Sequence, residues 1–339
     1  MRVSVIVPVY DAAAYVRQAV ESAIAQPETG EVLLVEDASH DNSLQVCEQL
    51  AGECRLVRLL QHADGRNHGA GASRNLGIAS ARFDHVAFLD ADDYFLPGRF
   101  AVASALFETD PELEGVYEAM GVEFEERESQ RRWVAERGHA VLTTMTERVA
   151  PDDLFERQAP MGRGGYCTTG GWVVRRSVLA RTGLFDSHLR LHQDTVMFVK
   201  LAAMGRMMPG RLDKPVAIRR VHAANRSSVP RPPSKVYRDR IRMWVALWRW
   251  GRRNLPRARE QLLVQRFLEY AGSPFRKTQS RIGRLLLPRI QMSLLVLVYP
   301  RLLLESRFWL SYHRVVVPFR LRSKPGPVAG VRVARSRRR

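Results

Sequence analysis

Three carboxylates crowd the end of an apolar run in "HVAFLDADDYF": Asp90, Asp92 and Asp93 follow Val86 to Leu89 with only Ala91 interleaved. Such a cluster repels itself and resists leaving water. Alternate residues of a strand share a face, so Asp90 and Asp92 point the same way if the strand persists. Two carboxylates with no sulfur or imidazole between them make a hard oxygen site, suited to magnesium or manganese rather than zinc. Magnesium commonly takes one or two carboxylates and lets substrate phosphates complete its shell. The pattern therefore points to a cation that bridges the protein to a diphosphate. A polar turn ending a strand, with Asp93 capping the next helix, is the plainer account, and spacing alone leaves both open.

Further residues could share that site. Asp37 closes "EVLLVED", where it could accept hydrogen bonds from a base or ribose, or merely shape the turn before Asp41. "GAGASRN" offers backbone that a ligand can approach closely as it opens into a helix N-terminus, although no glycine triplet follows the first strand. Asp194 in "HQDTVMF" opens a helix, where the macrodipole stabilises an acid with or without catalysis. Arg163 and the glycines of "GRGGYCTTGGW" read as an acceptor loop or a plain turn. Trp244, Leu247 and Trp248 lie at helical spacing and read as core or interface rather than a sugar-stacking platform.

The elements that must position these residues alternate. "RVSVIVPVY" reads as a strand buried on both faces, followed by Asp11 as an N-cap and by Val16, Val20, Ala23 and Ile24 at helical spacing. "EVLLVED" is a second strand, and Asp41 can cap a helix bearing Leu44, Cys47 and Leu50. "RLVRLL", the Gly-rich loop with its short helix, and "DHVAFLD" complete the series. This predicts an α/β fold with a parallel, doubly wound sheet, whose ligands bind beyond the carboxyl ends of the strands. Tyr10, Asp11, Glu36, Asp37 and Asp90 to Asp93 all fall there. Further on, "LEGVYEAMGVEFEE" reads as a strand or hairpin and "ESQRRWVAERGHAV" as a polar excursion of hairpin type. "GGWVVRRSVL" reads as a strand and helix start, "QDTVMFVKLAAMG" as a helix ended by Gly205, and "KPVAIRRVH" as a late strand.

Composition bounds the rest. The 339 residues, 45% of them hydrophobic, exclude a disordered chain. The net charge of +18 is lopsided: after Asp239 the only acids are Glu260, Glu269 and Glu305, and the sequence closes on "ARSRRR". Nucleic acid, an anionic membrane surface or a phosphorylated substrate could answer that charge. Three cysteines without zinc spacing and a strand pattern with no signal peptide before it lead to the expectation of a cytoplasmic protein. The most apolar stretch, "LLLPRIQMSLLVLVYPRLLL", is interrupted by Pro288, Arg289, Gln291 and Pro300 and reads as interfacial rather than spanning. "PRPPSK", from Pro230, marks a change in composition and an expected domain boundary.

Taken in order, "VSVIVPVYD", "EVLLVEDASHDNS", "GASRNLGIASARFDHVAFLDADD" and "HQD" resemble the family 2 nucleotide-sugar glycosyltransferases of the GT-A fold. The resemblance implies a Rossmann-like, mostly parallel sheet flanked by helices. It implies a catalytic domain over 1–229, with a nucleotide-sugar half at 1–110 and an acceptor-side half at 111–229. A basic, mainly helical extension with a disordered Arg-rich tail is expected over 230–339. Pro8, Tyr10 and Asp37 would line the nucleoside pocket and Arg74 would approach the base and diphosphate. Asp90 and Asp92 match the family's Asp-x-Asp motif, with Asp92 the main metal contact and Asp90 on ribose or metal. Asp194 matches the catalytic base, and His222 resembles a late histidine that closes on the metal or diphosphate. The activity implied is inverting transfer, with Mn2+ or Mg2+, from a nucleoside-diphosphate sugar (UDP-sugar by family habit) to a hydroxyl of a lipid-linked or glycan acceptor.

Three positions depart from the family pattern: Glu36 stands for the usual first Asp of a pair, Asp11 for Asn, and Gln193 for the Glu before Asp194. The Gln-x-x-Arg-Trp motif and spans of polysaccharide synthases are absent, which argues against a long-polymer synthase. A peripheral position on the inner face of the membrane is expected for the basic half. A sugar nucleotidyltransferase is the rival enzyme, but its Gly-rich, basic loop after the first strand is missing. A nucleic-acid-binding protein would explain the charge but not the carboxylates, so no nucleic-acid partner is expected.

Overall fold

The computed structural model describes residues 1–137, 141–223, 225 and 231–271. The first part alternates strand and helix: β1 (Val3–Val9), α1 (Val16–Ile24), β2 (Thr29–Glu36), α2 (Ser43–Glu53), β3 (Val57–Gln61), α3 (Ala70–Ser80) and β4 (His85–Phe88). Then come β5 (Tyr94–Phe95), α4 (Ala101–Thr109), β6 (Gly115–Tyr117), β7 (Met120–Phe124), α5 (Arg127–Arg137), β8 (Leu142–Thr143) and the single turn α6 (Leu154–Arg157). The series continues with β9 (Trp172–Arg175), α7 (Arg176–Thr182), α8 (Gln193–Met204), β10 (Met207–Pro209) and β11 (Ala217–Val221). It closes with α9 (Pro233–Asn254) and α10 (Arg257–Ala271).

Among the described residues the strands form two sheets, one in the order β10-β6-β9-β4-β1-β2-β3 and one in the order β5-β11-β7-β8. In the larger sheet β9 runs antiparallel to both neighbours and the other pairs are parallel, so the sheet is mostly parallel, as expected. Helices cover both faces, which is why β1 is apolar but for Ser4 and β2 carries the apolar run Val32, Leu33, Leu34 and Val35. Val5, Val7 and Val9 share a cluster with Val16 and Val20 of α1, Cys47 and Leu50 of α2, and Phe107 of α4. On the opposite face α3 comes close because Gly77 has no side chain: a Cβ there would collide with Ile6 Cγ2.

Several expectations are corrected. Asp11 does not cap α1, whose N-cap is Tyr15; its carboxylate instead accepts the His40 N–H at 2.7 Å. Asn42 occupies the N-cap of α2, while Asp41 accepts from the Ser43 N–H (2.9 Å) and the Ala13 N–H (3.0 Å), tying two loops together. "LEGVYEAMGVEFEE" gives two strands but no hairpin, since β6 joins the large sheet and β7 the small one. "ESQRRWVAERGHAV" enters a helix, α5, because its Glu, Gln, Arg and Ala favour helix and Glu128 pairs with Arg132 one turn on (3.2 Å). Where the chain crosses between sheets, a fully buried ion pair joins Arg99 Nη1 to Glu118 Oε2 at 2.8 Å. Arg99 also donates to Trp172 O (3.1 Å).

Residues 1–263 form one compact unit, so the compositional change at Pro230 falls inside it and α9 belongs to it. Residues 264–271, the end of α10, belong to a second unit. The expected Arg-rich tail and the interfacial stretch near residue 290 lie outside the described residues. No helix among the described residues is long and apolar enough to cross a membrane.

Candidate active site

The carboxyl ends of β1, β2 and β3 stop in register, Val9 beside Glu36 and Glu36 beside Gln61, while β4 ends earlier, with Phe88 beside Ile6. The loops beyond them are sharply bent. The non-glycine residues with left-handed backbone among those described are Asp11 (φ 49°), Ala38 (φ 58°) and His192 (φ 63°). These three neighbour Tyr10, Asp37 and the Gln193–Asp194 pair. Each such conformation costs on the order of 1–3 kcal/mol and is held only where surrounding contacts over-determine it.

Asp37 is buried, and both of its oxygens are engaged: Oδ1 accepts the His68 N–H (2.8 Å) and Oδ2 the Gly69 N–H (2.7 Å). Asn67 Nδ2 donates to its carbonyl (2.9 Å). The residue expected at the base therefore builds the loop that leads into α3. Its neighbour Glu36 does the same for the β2 loop, accepting the Ser39 N–H (2.6 Å) and the Gln61 amide (3.0 Å). Burial pushes the Glu36 carboxyl up, but those hydrogen bonds outweigh it and hold the group below the usual carboxylate range. Pro8 sits on β1 opposite Val35, and the Tyr10 hydroxyl meets His40 Nδ1 at 3.1 Å.

The crowding of the three aspartates is resolved in three separate ways. Asp90 Oδ1 pairs with Arg74 Nη2 at 2.5 Å. Arg74 is buried under the Phe185 ring, and its Nε finds no partner among the described residues. Asp93 does not cap a helix. It is buried and accepts the Arg220 N–H (3.0 Å). Burial, then the charges of Asp92 and Asp90, push its carboxyl well above the usual range. Asp92 Oδ2 meets two groups at once, Asn225 Nδ2 at 2.7 Å and His222 Nε2 at 3.3 Å, the latter a hydrogen bond when Nε2 carries the proton. The His222 ring lies over Tyr15, with centroids 4.6 Å apart.

Asp92 is thus the aspartate that is neither paired to an arginine like Asp90 nor buried like Asp93. Among the described residues no three His, Cys, Asp or Glu side chains converge to cage a metal ion. The donor chemistry still fits a hard divalent cation of the kind that keeps much of its shell for phosphate. Asp92 has one carboxylate oxygen free of hydrogen-bond donors among the described residues, Asp90 is half-exposed, and the His222 imidazole is adjacent.

Asp194 is the second residue of α8, and its Oδ1 accepts the Thr195 N–H at 2.7 Å. Beside it, burial holds His192 below the ordinary imidazole range, with the Asp194 charge pulling upward and Arg240 and Arg231 adding to the fall. Three contacts bring this segment against α3 and the loop before it. Asn75 pairs with the Phe185 backbone in both directions (2.9 Å each), and Arg190 Nη1 donates to Asn67 Oδ1 (2.9 Å). Gln193 packs its Oε1 into the space that a Cβ on Gly71 would fill. Asn67, Asn75 and Asn225 are the residues that sequence reasoning missed. Only Asn75 carried a signal, as the neighbour of Arg74 in "SRN".

Residues 4–183, more than half of the chain, match the sequence model of Glycosyl transferase family 2. The chain belongs to glycosyltransferase family 2. An uncharacterized glycosyltransferase, EpsJ of Bacillus subtilis (strain 168), is 27% identical to this family 2 chain over 202 residues, 57% of the chain and 54% of EpsJ. The succinoglycan biosynthesis protein ExoU of Rhizobium meliloti (strain 1021) is 37% identical over 100 residues, 29% of the chain and 28% of ExoU. The chain spans about half or less of the length of these relatives. The crystal structure of S. aureus TarS 1-349 superposes with a TM-score of 0.59 at 19% identity, covering 93% of this chain and 90% of that one. The fold is accordingly the GT-A type of glycosyltransferase.

Proposed function

We propose that this enzyme transfers a sugar from a nucleoside-diphosphate sugar to an acceptor hydroxyl with inversion, and that a divalent cation assists. The observation that carries this reading is the separation of the acids. Asp90 is bound to Arg74, Asp93 is buried, and among the described residues Asp92 keeps one oxygen free of donors beside both. A Mg2+ or Mn2+ ion held there by Asp92, with Asp90 and His222, would supply a Lewis acid for the diphosphate oxygens. Arg74 shares its charge between Asp90 and the diphosphate and stabilises the leaving group. Asp194 accepts the proton of the acceptor hydroxyl as the new oxygen–carbon bond forms and the bond from the anomeric carbon to the diphosphate oxygen breaks. Asp37 acts by holding the 67–69 loop, while Pro8 and Tyr10 line the nucleoside side.

UDP-sugar is the favoured donor. TarS 1-349 is known with UDP and with UDP-GlcNAc, and a hexosyl or N-acetylhexosaminyl group fits that preference. The name of ExoU places that relative in succinoglycan biosynthesis, which supports a lipid-linked or glycan acceptor in envelope, capsule or exopolysaccharide synthesis. The enzyme works in the cytoplasm, peripheral on the inner membrane face. The supporting feature is α9, where Lys235, Arg238, Arg242, Arg249 and Arg253 share one exposed side opposite the buried Trp244, Leu247 and Trp248.

The test is a panel of UDP- and GDP-sugars with and without manganese, scored for release of the nucleoside diphosphate. Release that requires manganese is the expected outcome. Failure of every sugar nucleotide to bind or turn over, or pyrophosphate release from sugar phosphate plus nucleoside triphosphate, would overturn the reading.

A further inference from the structure

The turn after β11 makes a contact that the family motifs do not include. Asn225 bridges two segments more than 130 residues apart in sequence. Its Oδ1 accepts the backbone N–H of His222 (2.5 Å) while its Nδ2 donates to Asp92 Oδ2 (2.7 Å). The turn is closed a second time by the Asn225 N–H on His222 O (3.1 Å). One residue before β11 ends, Arg220 N donates to Asp93 Oδ1 (3.0 Å), so the two segments are stitched side by side. Arg220 is itself fixed, lying over the rings of Tyr15 and Tyr94 and reaching Gln18 Oε1 (2.5 Å). Asn225 is therefore part of a rigid frame, and its carboxamide is bound at both ends.

We propose that Asn225 is a positioning residue for the cation-binding carboxylate. It fixes the rotation of Asp92 by occupying Oδ2, which leaves Oδ1 as the oxygen offered to the ion. This rests on the reading of Asp92 as the main metal contact. A carboxylate free to spin offers its oxygens in many orientations, and holding one oxygen removes that freedom before the ion arrives. Hydrogen bonds from outside the ligand set onto a ligand commonly contribute 10- to 100-fold in metal affinity. An amide suits this position, since its oxygen accepts from the backbone at one end while its nitrogen donates to an anion at the other. Asn225 also spaces His222, because the same side chain fixes the backbone from which that imidazole reaches Asp92.

The experiment titrates Mn2+ calorimetrically into the full chain with UDP present, for the wild type, Asn225→Ala and the gentler Asn225→Ser. UDP binding without metal and the urea midpoint are measured alongside. The expected result is a Mn2+ constant weakened by roughly 10- to 100-fold in both variants, with metal-free UDP binding unchanged. Turnover should return to within a few-fold of wild type when Mn2+ is raised. An unchanged Mn2+ constant in folded variants overturns the inference while leaving the functional reading intact. A parallel loss of metal-free UDP binding and of the urea midpoint also overturns it, because the residue would then hold only the fold. If the wild type itself binds no Mn2+ with UDP or with GDP, the functional reading fails first and this inference with it.

Discussion

Asp90, Asp92 and Asp93 share a residue type and a neighbourhood, yet the fold gives them different charges to live with. An arginine balances the first, hydrogen-bonding side chains meet the second, and the third is buried with its carboxyl pushed up. The sequence could mark the trio as chemically unusual but could not assign these environments. Their partners, Arg74, His222, Asn225 and Arg220, lie up to 133 positions away. Asp37 makes the same point from the other side: its type and strand-end position were legible, but not that both oxygens serve backbone N–H groups. Asp194 is the residue whose role is simplest to isolate. It opens α8 and, among the described residues, bonds only to the next one, so its carboxylate is not spent on the fold. Asp194→Asn preserves shape and the Thr195 contact but removes the proposed base. Turnover should fall at least about 100-fold while donor binding, read by calorimetry, stays near wild type. Full activity in that protein would sink the base assignment.

The alternation of strands and helices was readable because burial on both faces leaves mostly apolar stretches in β1, β2 and β4. The 110–145 region was not, because short strands feeding two different sheets carry no period long enough to declare their partners. β4 carries a pH dependence of its own. His85 begins the strand with its ring edge-on to Phe107, and its Nε2 is buried without a partner among the described residues. Burial, reinforced by the charge of Arg175, lowers its pKa to about 4 from an ordinary 6.5. The unfolded chain therefore takes up this proton first. Stability due to His85 is complete above about pH 6.5, declines as pH falls, and levels off below about 4. Glu31 and Glu36 lose their contributions at lower pH, through folded values held below the usual carboxylate range. His85→Leu should flatten the fall in urea midpoint between about pH 6.5 and 5 without lowering the midpoint at about pH 7.5. Since β4 delivers Asp90, the wild type should also lose activity irreversibly sooner at about pH 5 than the variant. Identical pH slopes for the two proteins would refute this assignment.

Over the molecule as a whole, composition and contact divide the chain differently. The change at Pro230 is real as composition, but α9 is fastened to the catalytic unit by its inner face. Trp250 Nε1 donates to Thr182 O (2.7 Å), the last carbonyl of α7, and Lys200 Nζ to Leu184 O (2.9 Å) just beyond that helix. Just past α9, Arg259 donates to Ala203 O (2.8 Å) and Asp152 O (2.7 Å). The charge count recorded only the outer face of α9, while its buried tryptophans were legible as a stripe of unknown destination. A row of cations on a helix held rigidly to an enzyme core, in a chain of net charge +18, attracts an anionic surface in one orientation. Each Lys or Arg near an anionic bilayer contributes about 1 kcal/mol. The triple variant Lys235→Gln, Arg238→Gln, Arg253→Gln should therefore bind phosphatidylglycerol vesicles on the order of 100-fold more weakly. Its turnover on a soluble acceptor should be unchanged, since none of the three touches the site. Co-sedimentation at about 50 and about 300 mM salt separates the explanations. Wild-type binding that weakens with salt and needs the anionic lipid supports docking through α9. Equal binding by the triple variant means that α9 is a solvated face and the attraction resides elsewhere in the basic half.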